Sequence, residues 1–533
     1  MLQKCFIPTM VSAFLFLVFP ATAQDFSSSH LPIIVIETDG VEIEDEPKVL
    51  VTMGIINNEN GINHLSDPYS DYDGKIGIEL RGNTTQDAEK KSFSIELRDN
   101  SNNDLDASLL GLPPEEDWIL HASPFDKTFL RNHLSFEIWR QMGYWASNIR
   151  YCELLLDGEY MGLYLLMERN KRDKNRLNIA KLGEDDISGD DLTGGYIIRL
   201  DWPEDEGWNS SYRAKEEEFL FYQYFYPKTR DIKPEQAEYI KSYFDSFEDA
   251  LFSASFTNND GLRYDSLMDV SSFADLFIIN ELSRSVDAYK LSTFFHKDKD
   301  SNGGLLKAGP IWDFNLAYGN ADYCGATTIE GWTYRQDDEG CDDLFLMPQW
   351  WEGIISDPAF FQEVRQRWQS HRNDFLNVDF LFQFIDQQVW GLGQAVDRNY
   401  ARWDFLGQNM FAEPEPVLNS YDAEVNLLKN WLDQRLQWLD QQLVARVITD
   451  LGKNPIPGIM VFPNPSSSSL HIFFRDLTDI DLHVMDLTGK EVLRENGLND
   501  QYVYEEFQFL SSGTYIVRLS SSTFDHTKMV IKQ

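Results

Sequence analysis

The sequence predicts an α+β fold followed by a small all-β module, and three observations carry that prediction. Between Gly77 and Glu168 the apolar pattern reads strand, strand, helix, strand, strand. From residue 353 to 450, Trp, Leu, Gln and Arg recur at helical spacing. After Pro455 and Pro457 the pattern changes to short alternating segments separated by Ser, Asn-Asp and Gly turns.

The first element is a leader. Lys4 gives a positive start, a mostly apolar run lasts from Phe6 to Phe19, and Ala21-Thr22-Ala23 is a small-x-small cleavage site. Residues 1–23 are therefore expected to be a secretory signal peptide. The apolar run is short for a membrane span, and no later segment reaches the length one needs. An exported, soluble product without a transmembrane segment is expected. The formal net charge of −41 over 533 residues agrees, and it argues against nucleic acid or an anionic membrane as partner. With 42% hydrophobic and 14% aromatic residues the chain is globular and long enough for two or three domains.

Cys5 leaves with the leader. Cys324 and Cys341 flank an acidic loop, and in an oxidising compartment a disulfide between them is expected to stabilise the fold by about 3 kcal/mol. Cys152 is left over on an apparent strand and reads as a buried free thiol. No CxxC or HxxxH spacing points to zinc.

Ile33 to Ile36 and Val49 to Met53 are β-branched, apolar strand segments. Gly77 to Asn83 and Lys91 to Leu97 form a hairpin joined by a polar turn that begins Arg81-Gly82-Asn83-Thr84-Thr85. That turn either covers phosphates or is an ordinary exposed turn. Lys91 shares its strand face with Phe93 and Ile95 and so points inward, while Lys90 faces solvent. Asp126 reads as the N-cap of a helix carrying Leu130, Leu134, Ile138 and Met142, which stops at Gly143. Tyr151–Leu156 and Tyr160–Glu168 form a second hairpin around Asp157-Gly158. A basic stretch, Arg169 to Arg172, reads as a linker. Gly194–Leu200 is a strand, 234–256 and 268–285 are helical, and Leu291–His296 and Leu305–Ile311 are strands. In the last module the expected strands are Leu470–Phe474, Leu482–Met485, Glu491–Leu493 and Tyr515–Leu519.

Chemistry concentrates at two places. Gly309-Pro310-Ile311-Trp312-Asp313-Phe314-Asn315 opens a loop after an apolar strand, and Asp287 lies upstream with Ser292 five residues beyond it. Protein kinases use this order: one Asp orients the acceptor hydroxyl, a polar residue five positions on helps hold a cation, and a later Asp-Phe-x carries the main metal ligand. Here Ser292 stands where kinases have Asn, and Asn315 where they have Gly.

Several ordered motifs extend the likeness: Leu80-Arg81-Gly82-Asn83-Thr84-Thr85, Lys90-Lys91-Ser92-Phe93, Leu130-Arg131-Asn132, Gly158-Glu159-Tyr160-Met161-Gly162-Leu163-Tyr164, Val286-Asp287 and Gly309 to Phe314. Over most of residues 75–350 the chain resembles the spore-coat-protein-H-like (CotH) kinase family. The resemblance implies an atypical protein-kinase-like bilobal fold, with an N-terminal region and N-lobe in 24–180 and a C-lobe with helical extension in 181–452. It implies ATP and Mg2+ as cofactors, with Asp313 and Ser292 as metal ligands and Asp287 as the residue orienting the acceptor. Lys91 and Arg81 would meet nucleotide phosphates, Glu137 would pair with Lys91, and Glu168 would mark the hinge beside the nucleotide. Each has a plainer reading: a turn cap for Asp313, a loop carboxylate for Asp287, a snorkelling edge residue for Lys91, a surface helix charge for Glu137, a strand-end charge for Glu168. Arg131 either binds phosphate or pairs with Asp126.

Residues 459–533 resemble the C-terminal sorting domain of type IX secretion substrates, through Val461-Phe462-Pro463-Asn464-Pro465, Met485-Asp486-Leu487-Thr488-Gly489-Lys490 and Gly513-Thr514-Tyr515. This implies an all-β sandwich, recognition by the type IX machinery and a Bacteroidetes-like host. Together the two resemblances imply a secreted kinase that phosphorylates Ser or Thr of an extracytoplasmic protein. The alternative is a pseudokinase acting as a surface binding or adhesion protein, for which Trp350, Trp351 and Trp403 would offer contact surface unless they pack in cores. Acidic residues are too abundant for a glycosidase pair to stand out.

Overall fold

The computed structural model describes residues 26–443 and 459–532, apart from 60, 204, 213–219, 254, 338–340, 342–344, 346, 463–469, 475–478, 488 and 522–524. The expected signal peptide, the linker at Pro455 to Pro457 and the Pro463-Asn464-Pro465 turn lie outside the described residues. The fold is mixed α+β. Two compact units are formed. Of the described residues, one comprises those up to Ala122 with Ile149–Met167 and Leu392–Asp404; the other comprises those in Ser123–Asn148, Glu168–Gly391 and from Phe405 on.

The first unit is a closed barrel of seven strands. In chain order they are β1 (Ile33–Glu37), β2 (Val49–Ile56), β3 (Tyr72–Arg81), β4 (Ser92–Arg98), β5 (Asp117–His121), β6 (Ile149–Leu156) and β7 (Glu159–Glu168). β1 closes the barrel by pairing antiparallel with β2 and parallel with β6, Ile34 opposite Leu154. Alternation explains the interior: Ile34 and Ile36, Phe93, Ile95 and Leu97, and Cys152 and Leu154 all point into one core. Ile33 and Val35 pack on the other face with Ile56 and Leu155, so β1 is buried on both sides and reads as a continuous apolar run. Cys152 is buried with a free thiol, as expected. The Asp157-Gly158 turn has φ of 50° and 76°, the two left-handed positions a tight hairpin needs.

Two expectations change in this unit. β5 was not anticipated: Trp118 and Leu120 face the core, but the apolar run is too short to stand out, and its addition lets the sheet close into a barrel. Lys90 does not face solvent. It is 1% exposed, and its Nζ donates to the carbonyls of Ala122 (3.1 Å) and Leu163 (2.5 Å) and to Asn399 Oδ1 (2.9 Å). Asn399 lies on the helix Gln394–Arg402, which docks on the barrel where Gly162, at φ 98°, leaves room: a Cβ there would stand 2.6 Å from Asn399 Oδ1. Arg398 of the same helix forks onto buried Glu153 at 2.7 and 2.8 Å.

The second unit holds helix α1 (Arg131–Gln141). It begins five residues after Asp126, not directly behind it. Asp126 still satisfies the helix start, accepting from the Arg131 amide at 2.9 Å and the Arg131 guanidinium at 2.6 Å. A five-stranded antiparallel sheet follows, in the order β9 (Gly207–Asn209), β10 (Phe221–Tyr226), β8 (Tyr196–Leu200), β11 (Thr293–Lys297), β12 (Leu306–Ala308). Helices α2 (Pro234–Phe252) and α3 (Val270–Ser283) come between β10 and β11. Beyond residue 350 the expected helices are present at Trp350–Ser356, Pro358–Asn373, Val378–Leu392 and Tyr421–Leu443. Trp350 and Trp351 are fully buried here, and Trp403, in the barrel unit, is 7% exposed, so all three serve cores. Among the described residues no helix is long and apolar enough to cross a membrane.

The final segment forms a three-stranded and a four-stranded antiparallel sheet that share one core, with Leu470 and Ile472 from the first and Leu482, Val484, Val517 and Leu519 from the second.

Candidate functional site

The site grows from the β11–β12 hairpin. Because the strands are antiparallel, with Phe295 opposite Ala308, the start of β11 and the end of β12 lie at the same edge. Asp287 and Ser292 precede β11 and Asp313 follows β12, so residues more than twenty positions apart meet. Asp287, Ser292 and Asp313 line one pocket with Asn280, Ser285 and Trp312. Ser292 Oγ donates to Asp313 Oδ2 at 2.9 Å.

Each chemical group is reached through strained backbone. Arg284 (φ 47°), Tyr289 (71°), Ser292 (45°), Asp313 (56°) and Tyr318 (53°) all sit in the left-handed region without being Gly. Such residues cost of order 1–3 kcal/mol each and persist only where the surroundings over-determine them. The surroundings here are polar and buried. Asn132 Oδ1 accepts from the amide of Phe314 at 2.7 Å, directly after Asp313. Arg131 Nε donates to the carbonyl of Ala317 (3.1 Å), and Ser135 and Tyr318 share a hydroxyl hydrogen bond of 2.9 Å. Arg131 is therefore a structural clamp on Asp126, the plainer of its two readings. Gly309, at φ 95°, lies against Trp139, whose ring would stand 2.7 Å from any Cβ. Its carbonyl accepts from Nδ1 of His296 at 2.9 Å; burial lowers the His296 pKa to about 4, so the ring is neutral at ordinary pH.

The chain beyond Asp313 is pinned back onto α3. Glu281 is 1% exposed and accepts from the amides of Thr333 (2.7 Å) and Tyr334 (3.0 Å) and from Tyr289 Oη (3.0 Å), and it faces Arg435. Burial raises its pKa, and Arg435 and these donors act against that rise. Arg284 Nε donates to the carbonyl of Gly325 at 2.9 Å. Cys324 and Cys341 are bonded, as expected, and Lys290 Nζ lies 3.8 Å from Cys341 Sγ.

The other expected residues have partners of their own. In the barrel unit, Arg81 is half-buried at the end of β3, beside Gly82, where a Cβ would collide with Thr85 Oγ1. Lys91 is also half-buried there and donates to the carbonyl of Gln86. In the second unit, Glu137 is engaged by Arg140 (3.0 Å) and Gln141 (2.7 Å). Glu168 ends β7 as expected, but it is fully buried against Arg176 (3.0 Å) and takes the Asn148 amide and side chain at 3.1 and 2.7 Å. Sequence reasoning named Asn132 only as part of the Leu130-Arg131-Asn132 motif and missed His296, Glu281 and Asn280. For Asn280 and Glu281 the signal is a polar pair set among apolar neighbours, Ile278-Ile279-Asn280-Glu281-Leu282. Among the described residues one acidic trio, Asp106, Glu115 and Glu116, brings carboxylates within 4.8 Å, but none of it was an expected ligand.

The chain matches the family model for CotH kinase protein over residues 78–439 and the model for a secretion system C-terminal sorting domain over residues 460–533. No curated protein matches it. The sorting domain supports export by type IX secretion to the cell surface or beyond. The kinase-family match covers well over half of the sequence, including both strands of the site hairpin and every residue of its pocket, and the chain belongs to the CotH kinase protein family.

Proposed function

We propose that this chain is an exported kinase that transfers the γ-phosphoryl group of ATP to Ser or Thr hydroxyls of an extracytoplasmic protein. The observation that carries the reading is the meeting of Asp287, Ser292 and Asp313 in one pocket. These are hard oxygen donors, the kind magnesium prefers, so the residues fit the expected cation. Bound magnesium would neutralise charge on the transferring phosphoryl group. Asp313 would hold it, with Ser292 keeping the Asp313 carboxylate oriented. Asp287 would accept a hydrogen bond from the acceptor hydroxyl and take its proton as transfer proceeds. Lys91 and Arg81 remain the candidates for phosphate contact. Glu137 and Glu168, already engaged, are assigned structural support.

The same reading takes residues 1–23 as a signal peptide, 24–180 and 181–452 as the lobes of a kinase-like bilobal fold, 459–533 as a sandwich read by the type IX machinery, and the host as Bacteroidetes-like. One observation favours a second reading, a pseudokinase that binds without transfer: the plus-five position lacks an amide, and its hydroxyl is committed to Asp313. Nucleotide titration with magnesium, followed by labelled-phosphate transfer from ATP, decides between them. Binding with transfer supports the kinase; binding without transfer supports the pseudokinase; no binding at any magnesium concentration overturns the kinase and leaves the surface binding or adhesion protein in its place.

A further inference from the structure

Asn280 is a misfit in its helix. It sits in the last turn of α3, whose residues from Ser272 to Ser283 are all buried, and it is 3% exposed. Asn is a poor residue for a helix interior, because its amide competes with the backbone and must be satisfied. Here it is not satisfied: Nδ2 is sealed from solvent and no described group accepts from it. Leaving a buried amide without partners is a standing cost, and an apolar residue of similar size would remove it. Local inconsistency of this kind concentrates at functional sites.

The place of Asn280 gives it a task. Its carbonyl accepts from the amide of Arg284 at 3.0 Å, closing the turn that leads to Asp287. Its residue lines the same pocket as Asp287, Ser292 and Asp313. The pocket thus lacks an amide at the position where kinases carry one, and holds, twelve residues upstream, an amide whose nitrogen is unpartnered. Resting on the kinase reading above, we infer that Asn280 supplies the site's amide ligand: its side-chain oxygen completes the oxygen set around the cation that Asp313 holds, in place of the missing amide at position 292. Asn and Gln carbonyls are ordinary ligands for hard cations.

The test is titration of manganese(II), followed by its electron spin resonance, in the presence of a non-hydrolysable ATP analogue. It uses the full exported protein, Asn280→Leu, and the double variant Asn280→Leu with Ser292→Asn. Melting temperatures without cation are measured alongside. The inference expects Asn280→Leu to weaken manganese binding by about 10–100-fold, the range seen when a supporting group of a metal site is lost. It expects the melting temperature of that variant to hold or rise, since the unpaired amide is gone. It expects the double variant to recover affinity through the amide placed at 292. Manganese binding unchanged in Asn280→Leu overturns the inference and leaves the kinase reading standing. A lowered melting temperature, or a loss of affinity that Ser292→Asn does not restore, assigns Asn280 to packing and also overturns it. No manganese or nucleotide binding in the wild-type protein overturns both.

Discussion

The barrel and the segment from Arg284 to Cys341 are held together by different means. In the barrel, Ile34, Ile36, Phe93, Ile95, Leu97, Trp118 and Leu120 fill one interior, and strand pairing takes up the backbone. In the segment most of the backbone lies outside strands and helices, and five non-Gly residues between Arg284 and Tyr318 adopt left-handed conformations. Buried polar groups fix it: Asn132, Arg131, Glu281, Arg284 and the Cys324–Cys341 bond. Hydrophobic packing tolerates exchange of similar side chains, whereas a buried polar network fails when one partner is removed. The tolerant unit serves as framework, and the intolerant segment carries the candidate site.

Substitutions in the two regions should therefore separate activity from stability. The largest effect is expected at Asp287. Asp287→Ala should lower phosphoryl transfer by about 10²–10⁴-fold while leaving nucleotide affinity and melting temperature close to wild type, because its task arises only as the acceptor proton is lost. Steady-state transfer rates beside calorimetric ATP affinity check this; a fall in affinity matching the fall in rate would remove the distinction.

In the barrel the expected loss is structural. Trp118 is fully buried, and Trp118→Ala should cost about 3–5 kcal/mol in denaturant unfolding. A cost below about 1 kcal/mol would mean that the interior is not packed as described. Breaking the segment's covalent tie is next: Cys341→Ser opens a bond spanning 17 positions and should cost about 3 kcal/mol. Because Cys341 lies against Lys290, hydrogen exchange in this variant should rise in residues 284–336 and stay at wild-type level in the barrel strands.

The smallest effects are expected from pH. His296 is neutral in the fold, with a pKa lowered from 6.5 to about 4, so its contribution is complete above pH 6.5 and is lost as pH falls through 4. Up to roughly 3 kcal/mol is at stake. Glu248, buried on α2 beneath Ser210 and Tyr222, works in the opposite sense: burial raises its pKa from 4.5 to about 7, so its contribution is present below 4.5 and is lost as pH rises through 7. Melting curves from pH 4 to 8 should lose their acid slope in His296→Gln and their alkaline slope in Glu248→Gln.

The same contrast explains what was legible in the sequence. Phe93, Ile95 and Leu97 alternate, and alternation identifies a half-buried strand without any tertiary information. The pairing of Cys324 with Cys341 follows from nearness and compartment. Asp287 and Asp313 stand out because their order is that of a known chemistry. Lys90 was misplaced because alternation was carried past the end of the strand, which starts at Ser92. Trp118-Ile119-Leu120 was overlooked because a short apolar run has no detectable period. Asn132, His296 and Glu281 act through partners distant in sequence, as Asn132 does with Phe314, and nothing local announces such a partner.

The central claim is that nucleotide chemistry resides in the polar-held segment, and hydrogen exchange of the wild-type protein with and without magnesium-ATP tests it most directly, with Asp313→Ala as control. The account predicts slowed exchange at residues 284–292 and 309–316 when magnesium and ATP are both present, and no slowing there in Asp313→Ala. Unchanged exchange across both stretches in the wild-type protein at saturating ligand, or equal slowing in Asp313→Ala, would contradict it.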